Sequence, residues 1–381
     1  MYQRLFQDLK GNKSYFIFGP RGTGKSFWIR NNLRPDIYIN LLDDKVYRRL
    51  LAEPSRLGDY ITKPDPQVIV IDEIQKIPAL TDEVHRLIEE KKWKFILTGS
   101  SARKLRRSHA NLLAGRALNL SFYPLVAREL GDDFNLSDSL RFGHLPSINS
   151  EPDKEKFLQA YLNTYLREEI IQEGIVRNVD VFSRFLESAS FSQGAILNVR
   201  SVAKDVGKDP KVINEYFQIL EDLLIAVRLP VFHQKARRKL TTRPKFYFFD
   251  VGVYRAIRPI GPLDDENAIN GHCLETLIFQ ELRALNDHLS WGFHLYFWHT
   301  RENLEIDFVL YGKKGLVAIE VKSSNRFSDD DLKALRLFKS EYRMAKCFFI
   351  YGGDEEYLKD EIRIIPVRKF IIKPEDYFFN E

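Results

Sequence analysis

The sequence has very little cysteine: Cys273 and Cys347 are the only two among 381 residues. Two cysteines cannot form a disulfide framework, and such low usage is typical of a reducing compartment. Neither residue stands at a spacing that is typical of metal ligands. We therefore expect a cytoplasmic protein without cysteine-held structure.

Long apolar runs are lacking as well. No window approaches the roughly 18 apolar residues that span a bilayer, and the first residues contain no apolar stretch typical of a signal peptide. The net charge of +5 is mild. A basic surface that attracts an acidic partner must therefore be confined to one part of the chain. These absences predict a soluble protein with no membrane partner, long enough for two or three domains.

Residues 15–26 carry the strongest pattern in the chain. An apolar run at 15–18 leads into G-x-x-x-x-G-K-S and then into a predicted helix, the context that a phosphate-binding loop requires. The loop residues are Gly19, Pro20, Arg21, Gly22, Thr23, Gly24, Lys25 and Ser26, and Phe27 begins the helix. Lys25 can reach the β- and γ-phosphates, and Ser26 can offer a hydroxyl to Mg²⁺. The pattern predicts binding of ATP with Mg²⁺.

A second apolar run, at 67–73, ends in Asp72 and Glu73. Continuous apolar residues favour a parallel strand that is covered on both faces. A carboxylate at the end of such a strand can hold Mg²⁺, directly or through water. We assign that role to Asp72 and polarisation of the attacking water to Glu73. The alternative for Glu73 is a solvated acid at a helix start.

The next predicted strand, 94–101, ends in small polar residues. Its position favours Thr98 or Ser100 as the residue that senses the γ-phosphate, although either could instead cap the following helix. A basic segment follows, with Arg103, Lys104, Arg106, Arg107 and Arg116. An arginine from a neighbouring subunit often stabilises the transition state of phosphoryl transfer. The candidates are Arg116 first, with Arg106 and Arg107 in reserve. A solvated basic helix face is the alternative for the 103–107 cluster.

Several motifs together resemble the prokaryotic AAA+ ATPases of the archaeal-ATPase type. They are Gly-Pro-Arg-x-x-Gly-Lys-Ser at 19–26, Ile-Asp-Glu-Ile-Gln at 71–75, Leu-Thr-Gly-Ser-Ser at 97–101 and Leu-Ala-Gly-Arg at 113–116. Chains of this type often continue into a winged helix and a C-terminal domain of unknown function, family 4143. The resemblance implies an ATPase that assembles into a homo-oligomeric ring or open spiral, such as a hexamer. It also implies that Arg116 acts as the arginine finger.

These patterns and the resemblance divide the chain into four predicted segments. Residues 1–130 form an AAA+ ATP-binding domain, 131–178 a connector and helical segment, 179–233 a winged helix-like domain, and 234–381 a nuclease-like domain. In the third segment, short helices at 199–207 and 209–220 meet at a glycine turn and precede β-prone residues, which indicates a winged helix-turn-helix. Such a unit binds DNA through its second helix or serves as a protein-packing module, and both interpretations stand.

A basic run follows this segment. It comprises Lys235, Arg237, Arg238, Lys239, Arg243 and Lys245. Cations at this density neutralise phosphates and bind nucleic acid with little sequence preference. The alternative is a solvated linker between domains.

The last segment is predicted to have the element order αβββαβ, which resembles the PD-(D/E)xK nuclease core. Alternation along two of its strands places Asp307 on one strand face, and Glu320 with Lys322 on another. Asp307 and Glu320 could ligate Mg²⁺ while Lys322 orients water or steadies the scissile phosphate. Family resemblance adds Glu275 from the preceding helix. Exposed strand faces also carry such charges, so the fold could persist without the chemistry.

The sequence as a whole predicts an ATP-hydrolysing AAA+ protein that acts on DNA, with a Mg²⁺-dependent nuclease as an open question. The rival is an ATP-gated oligomeric switch whose degenerate nuclease-like domain binds a protein partner. A small-molecule kinase is a third interpretation, but Glu73 beside Asp72 and the 115–116 segment favour water as the acceptor.

Overall fold

The architecture was derived from a computed structural model. It describes residues 2–6, 9, 11–101, 105, 116–166, 170, 178–233 and 243–379. The chain divides into two compact units, which we treat separately. The nucleotide unit contains residues 6–124 and 219–225, and the C-terminal unit contains 1–5, 125–218 and 226–381. The segments predicted as connector, winged helix and nuclease-like domain lie almost entirely in the C-terminal unit.

The nucleotide unit is built on a five-stranded sheet in the order β2-β3-β4-β1-β5. The strands are β1 (Ser14–Phe18), β2 (Ile37–Asn40), β3 (Ile69–Asp72), β4 (Phe95–Gly99) and β5 (Ala117–Ser121). All paired strands run parallel. Strands β1, β3 and β4 are buried along their whole length, as their continuous apolar sequences predict. The predicted parallel α/β sheet is confirmed.

Helices cover both faces of this sheet. They are α1 (Lys25–Trp28), continued by the π-helical turn Ile29–Leu33, then α2 (Asp44–Ala52) and α3 (Leu80–Lys91), with 3-10 turns at Pro54–Tyr60 and Ile74–Lys76. Because side chains alternate along a strand, Phe16 packs into one apolar core with α3, while Ile17 packs into the other with Trp28. The phosphate-loop helix is thus fixed to the sheet by buried apolar contacts.

The first part of the C-terminal unit is mostly helical. Its elements are α4 (Ala127–Leu130), α5 (Leu136–Phe142), α6 (Lys154–Ala160), α7 (Val179–Ser190), α8 (Val199–Val206), α9 (Pro210–Asp222), β6 (Ala226–Leu229) and β7 (Lys245–Phe248), with a π-helical turn at Tyr161–Leu166 and 3-10 turns at Gly131–Asp133 and Pro146–Ser150. The Asn198 side chain caps α8, and Gly207 ends it at a φ of 69°, a value that favours glycine. Strands β6 and β7 pair antiparallel. The two short helices therefore precede a β-hairpin whose connection contains the basic run.

A mixed six-stranded sheet forms the remainder, in the order β12-β13-β11-β10-β9-β8. Its strands are β8 (Phe293–His299), β9 (Glu305–Gly312), β10 (Gly315–Lys322), β11 (Lys346–Tyr351), β12 (Tyr357–Lys359) and β13 (Ile362–Pro366). The helices are α10 (Val251–Ile257), α11 (Glu266–His288), α12 (Lys333–Glu341), α13 (Val367–Phe370) and α14 (Glu375–Phe379), and a 3-10 turn at Asp329–Leu332 precedes α12. The predicted order αβββαβ is present, followed by β12 and β13, which were not predicted.

The segment that follows β6 runs along the edge of this sheet. The backbone N–H of Phe232 donates to the carbonyl of Phe297 at 2.7 Å, and the N–H of Phe297 donates to Pro230 at 3.0 Å. These bonds attach the segment after β6 to β8. Within the described part of the chain, no helix combines the length and apolarity that a bilayer crossing needs.

Candidate nucleotide site and carboxylate cluster

The loop between β1 and α1 closes around the ammonium of Lys25. Its Nζ atom donates to the carbonyl oxygens of Gly19 at 2.5 Å and Pro20 at 2.9 Å. A Cβ added to Gly19 would lie 2.1 Å from the carbonyl oxygen of Phe122, so only glycine fits there. Gly24 has a φ of 88°, which turns the chain into α1. The loop therefore has the tight curvature that directs backbone N–H groups toward an anion.

Asp72 lies at the end of β3 and is almost fully buried. Its carboxylate accepts hydrogen bonds from the hydroxyls of Thr98 and Tyr38. Burial, followed by the hydrogen bond to Asp72, raises the pKa of Tyr38 to about 12. The predicted sensor Thr98 therefore contacts the predicted metal ligand directly.

Glu73 follows in a left-handed conformation, with a φ of 62°. Its carboxylate accepts a hydrogen bond from the side-chain amide of Gln75. The same amide donates to the hydroxyl of Ser100 at 3.1 Å. The two sensor candidates are thus divided: Thr98 contacts Asp72, and Ser100 is linked to Glu73 through Gln75.

The residues at this edge suit a magnesium nucleotide. Ser26 and Asp72 offer a hydroxyl and a carboxylate oxygen, the donor types that Mg²⁺ prefers. Mg²⁺ bound to a nucleotide usually keeps several waters and phosphate oxygens, so one protein carboxylate is enough. Carboxyl ends of parallel strands meet at one edge of a sheet, and β1, β3 and β4 all end here. The donor set and the glycine cradle fit ATP and Mg²⁺.

The second site is a group of four carboxylates in the C-terminal unit, which we call the acid cluster. They are Glu275 on α11, Glu305 and Asp307 on β9, and Glu320 on β10. Lys245, the first residue of β7, lies among them. Its Nζ atom is 2.9 Å from Glu275 Oε1, 2.5 Å from Glu305 Oε1 and 3.0 Å from Asp307 Oδ1. The cluster therefore encloses a lysine ammonium.

Burial and charge act in opposite directions on this lysine. Its side chain is only 1% exposed, and burial alone would lower the pKa of Lys245. The neighbouring charges, Glu275 first, outweigh burial and raise that pKa. Burial, followed by the charge of Asp307, raises the pKa of Glu275 to about 8 and also raises the pKa of Glu320. Lys245 is thus the charged partner that the buried carboxylates share.

The predicted nuclease residues divide into two groups. Glu275, Asp307 and Glu320 come together in the acid cluster, and Asp307 also accepts the N–H of Val321 at 2.9 Å. Lys322 instead pairs with Asp331 and is 40% exposed. Among the described residues, no group of three or more His, Cys, Asp or Glu side chains is arranged to hold a metal ion. The acid cluster, with Lys245 inside it, does not fit the Mg²⁺ that the predicted nuclease resemblance implies.

Comparison with known families places three matches along the chain. Residues 11–131 match the family described as an AAA domain. Residues 133–264 match a domain of unknown function, DUF8612, and residues 270–370 match another, DUF4143. The chain contains an AAA domain and a C-terminal DUF4143 domain. The predicted resemblance is confirmed for these two domains, and the AAA domain supports a nucleotide-hydrolysing function.

Relatives of this AAA protein occur in archaea and bacteria. One is the uncharacterized protein MJ1544 of Methanocaldococcus jannaschii, 24% identical over 360 residues, which cover 85% of this chain and 78% of that protein. Another is an uncharacterized protein of Haemophilus influenzae, 23% identical over 270 residues, with 66% of this chain and 64% of that protein covered.

Two solved structures also match. The Aeropyrum pernix ORC1 protein in complex with DNA has 13% identity and a TM-score of 0.23, and the match covers 65% of this chain and 87% of that chain. Protein VC1899 from Vibrio cholerae has 11% identity and a TM-score of 0.22, with 94% and 95% covered.

In the AAA domain, the predicted finger Arg116 pairs with Glu89 on α3, and its side chain is 39% exposed. The reserve candidates Arg106 and Arg107, together with Arg103 and Lys104, lie outside the described residues. The same holds for Lys235, Arg237, Arg238 and Lys239 of the basic run. Lys245 is the last cation of that run in the sequence, but the solvent-facing role predicted for the run is wrong for this residue, because its side chain is buried in the acid cluster.

The second helix of the predicted winged helix, α9, has part of its polar face already engaged. Arg228 on β6 donates to the side-chain oxygens of Asn214 at 3.0 Å and Gln218 at 2.9 Å. Asn and Gln side chains can read the edge of adenine in the major groove. The two amides of α9 that could do so are instead engaged with Arg228.

Three site residues escaped the sequence interpretation: Tyr38, Gln75 and Lys245. Gln75 could have been found from the sequence, because it stands only two residues after Glu73 and its amide can reach that carboxylate. Lys245 also had a local signal, because it opens the aromatic strand 245–248, and a cation in a buried strand requires anionic partners. Tyr38 had no such signal, because its contact with Asp72 depends on the pairing of β2 with β3.

Proposed function

We propose that this AAA protein hydrolyses ATP, with Lys25, Asp72 and Glu73 as its principal residues. Lys25 binds the β- and γ-phosphates, and Ser26 and Asp72 hold Mg²⁺, which neutralises charge on the phosphate oxygens. Glu73 accepts a proton from the attacking water. Thr98 fixes the carboxylate of Asp72 through its hydroxyl. The observation that carries this proposal is the glycine loop closed on Lys25 at the sheet edge where Asp72 and Glu73 follow β3.

Two variants test these roles. Lys25→Ala should lose ATP binding, because the loop loses the cation that would contact the β- and γ-phosphates. Glu73→Gln should keep ATP binding and lose hydrolysis, because the loop and Asp72 are intact. Binding of a fluorescent ATP analogue and phosphate release measure the two steps, with Glu90→Gln, an exposed carboxylate on α3, as control. Wild-type turnover by Glu73→Gln would refute the assignment of the base.

We further propose that the protein acts on DNA through the connection between β6 and β7. This connection carries Lys235, Arg237, Arg238, Lys239 and Arg243. An antiparallel pair supports the connection at both ends, and such a cation density suits phosphate contacts with little sequence specificity. ATP hydrolysis in a ring or spiral, with Arg116 completing the neighbouring site, would translocate or remodel the bound DNA.

A second candidate is an ATP-gated switch whose C-terminal domain binds a protein partner. The position of Lys245 inside the acid cluster favours it, because a nuclease-like domain without a metal site is left with binding as its role. DNA cleavage is therefore not part of the proposed function. Indifference of ATP hydrolysis to every form of DNA would favour this second candidate.

A further inference from the structure

The acid cluster joins two parts of the C-terminal unit that match different families. Lys245 belongs to the part that matches at 133–264, and all four carboxylates belong to the part that matches at 270–370. The three ion pairs of Lys245 reach one carboxylate on α11 and two on β9. Tyr247, two residues later on the same face of β7, donates its hydroxyl to Glu275. The acid cluster therefore connects β7 with α11 and β9, which are far from it in the chain.

The ammonium of Lys245 is fully committed to the cluster. An ammonium carries three N–H donors and no acceptor, and three different carboxylates lie within ion-pair distance of it. With 1% of its side chain exposed, it can reach no phosphate outside the protein. This excludes Lys245 as a lysine that steadies a scissile phosphate. Lys322 cannot replace it inside the cluster, because Lys322 pairs with Asp331.

The position of the strand makes this arrangement rigid. Leu229 on β6 pairs with Lys245, and Ile196 forms a bridge to Lys245 on the other side. The N–H of Leu197 also donates to the carbonyl of Pro244 at 2.8 Å. Backbone bonds on both sides thus hold the lysine side chain at the cluster.

We propose that the ammonium of Lys245 is the resident cation of the acid cluster, where it replaces a divalent metal ion and anchors β7 to α11 and β9. The basic connection ends immediately before Lys245, so this anchor also fixes the return point of the proposed DNA-binding segment on the C-terminal sheet. One oxygen of the cluster allows the proposal to be tested. Glu320 Oε2 is buried and has no hydrogen-bond partner among the described residues. A metal bound between Glu320 and Asp307 would use it.

Two measurements on wild-type protein distinguish the ammonium of Lys245 from a metal ion as the cation in the acid cluster. In nucleotide-free protein, millimolar Mn²⁺ should leave the melting temperature of the C-terminal unit unchanged, and calorimetry should show no Mn²⁺ binding that Asp307→Asn removes. Reductive methylation followed by mass spectrometry should modify Lys322 and spare Lys245, with or without Mn²⁺. Mn²⁺ binding that Asp307→Asn abolishes, or methylation of Lys245 in folded protein, would overturn the proposal.

A variant tests the replacement directly. Lys245→Ala should lower the melting temperature by roughly 5–15 °C, because buried carboxylates lose their counter-charge. Millimolar Mn²⁺ should then recover part of the loss, since a divalent ion can enter the vacated position. The control Lys322→Ala should melt near the wild-type temperature and show no response to Mn²⁺. A folded Lys245→Ala protein that Mn²⁺ does not stabilise would contradict the proposal, and if this variant does not fold, the wild-type experiments decide. None of these readouts involves ATP or DNA, so they are independent of the proposed function.

Discussion

The side-chain amide of Gln75 donates a hydrogen bond to the carboxylate of Glu73, two residues before it. Gln75 is buried, and its amide also reaches Ser100 at the end of β4. The proposed base is therefore connected to a candidate sensor of the γ-phosphate through one amide. This gives Gln75 a positioning role, since it holds the carboxylate without touching the reacting atoms.

Gln75→Ala should lower kcat by about 10-fold or more, because a general base contributes roughly 10²–10⁴-fold and depends on its orientation. KM for ATP should stay near the wild-type value, since the phosphate loop is unchanged. Steady-state phosphate release measures both constants. Lys76→Ala serves as control, because it alters the neighbouring side chain and leaves this amide in place. An unchanged kcat in Gln75→Ala would show that the contact does not orient Glu73.

Arg116→Ala should reduce turnover by roughly 10³-fold or more while ATP binding survives, if Arg116 is donated to a neighbouring site. Mixing Arg116→Ala with Lys25→Ala protein should restore some activity, because each supplies the residue that the other lacks. Glu89→Gln is a matched control, since it breaks the ion pair with Arg116 and keeps the guanidinium. Full ATPase activity of a monomer across a dilution series would exclude a shared site.

Acid should destabilise the C-terminal unit through His288, at the end of α11. Burial, followed by the charge of Arg4, lowers the pKa of His288 to about 3. Below the ordinary histidine pKa of about 6.5, the unfolded chain binds a proton that the folded chain does not, so stability falls as pH falls toward 3, by roughly 1.4 kcal/mol per pH unit. His288→Leu should lose less stability than wild type between neutral pH and pH of about 5. Denaturant unfolding at both pH values measures this, and an equal loss in both proteins would contradict it.

The elements that the sequence predicted well are those with local signals. Strands β3 and β4 lie within the runs predicted at 67–73 and 94–101, because each is a continuous apolar segment. The phosphate loop and the acids after β3 were predictable, since their chemistry depends on residues that are adjacent in the chain. Strand β12 was missed because it has only three residues, all exposed, and lacks the apolar pattern of a core strand.

Lys245 shows why the acid cluster could not be predicted in full. Its partners Glu275 and Asp307 are 30 and 62 residues away in the chain, and no spacing rule connects them. Lys245 also follows a run of cations that are suited to solvent, which favoured one common role for all of them. Its inward position depends on the pairing of β7 with β6 and on the bridge to Ile196, neither of which the local sequence shows.

The coupling of ATP hydrolysis to DNA is the central claim. The direct measurement is phosphate release by wild type and by a variant with Arg237, Arg238 and Lys239 changed to Glu, each with no DNA and with single-stranded, duplex or branched DNA over a range of salt. We predict that DNA stimulates wild-type turnover at low salt, that salt weakens the stimulation, and that the variant keeps basal turnover but loses both effects. Wild-type turnover that no form of DNA changes at low salt would contradict the account.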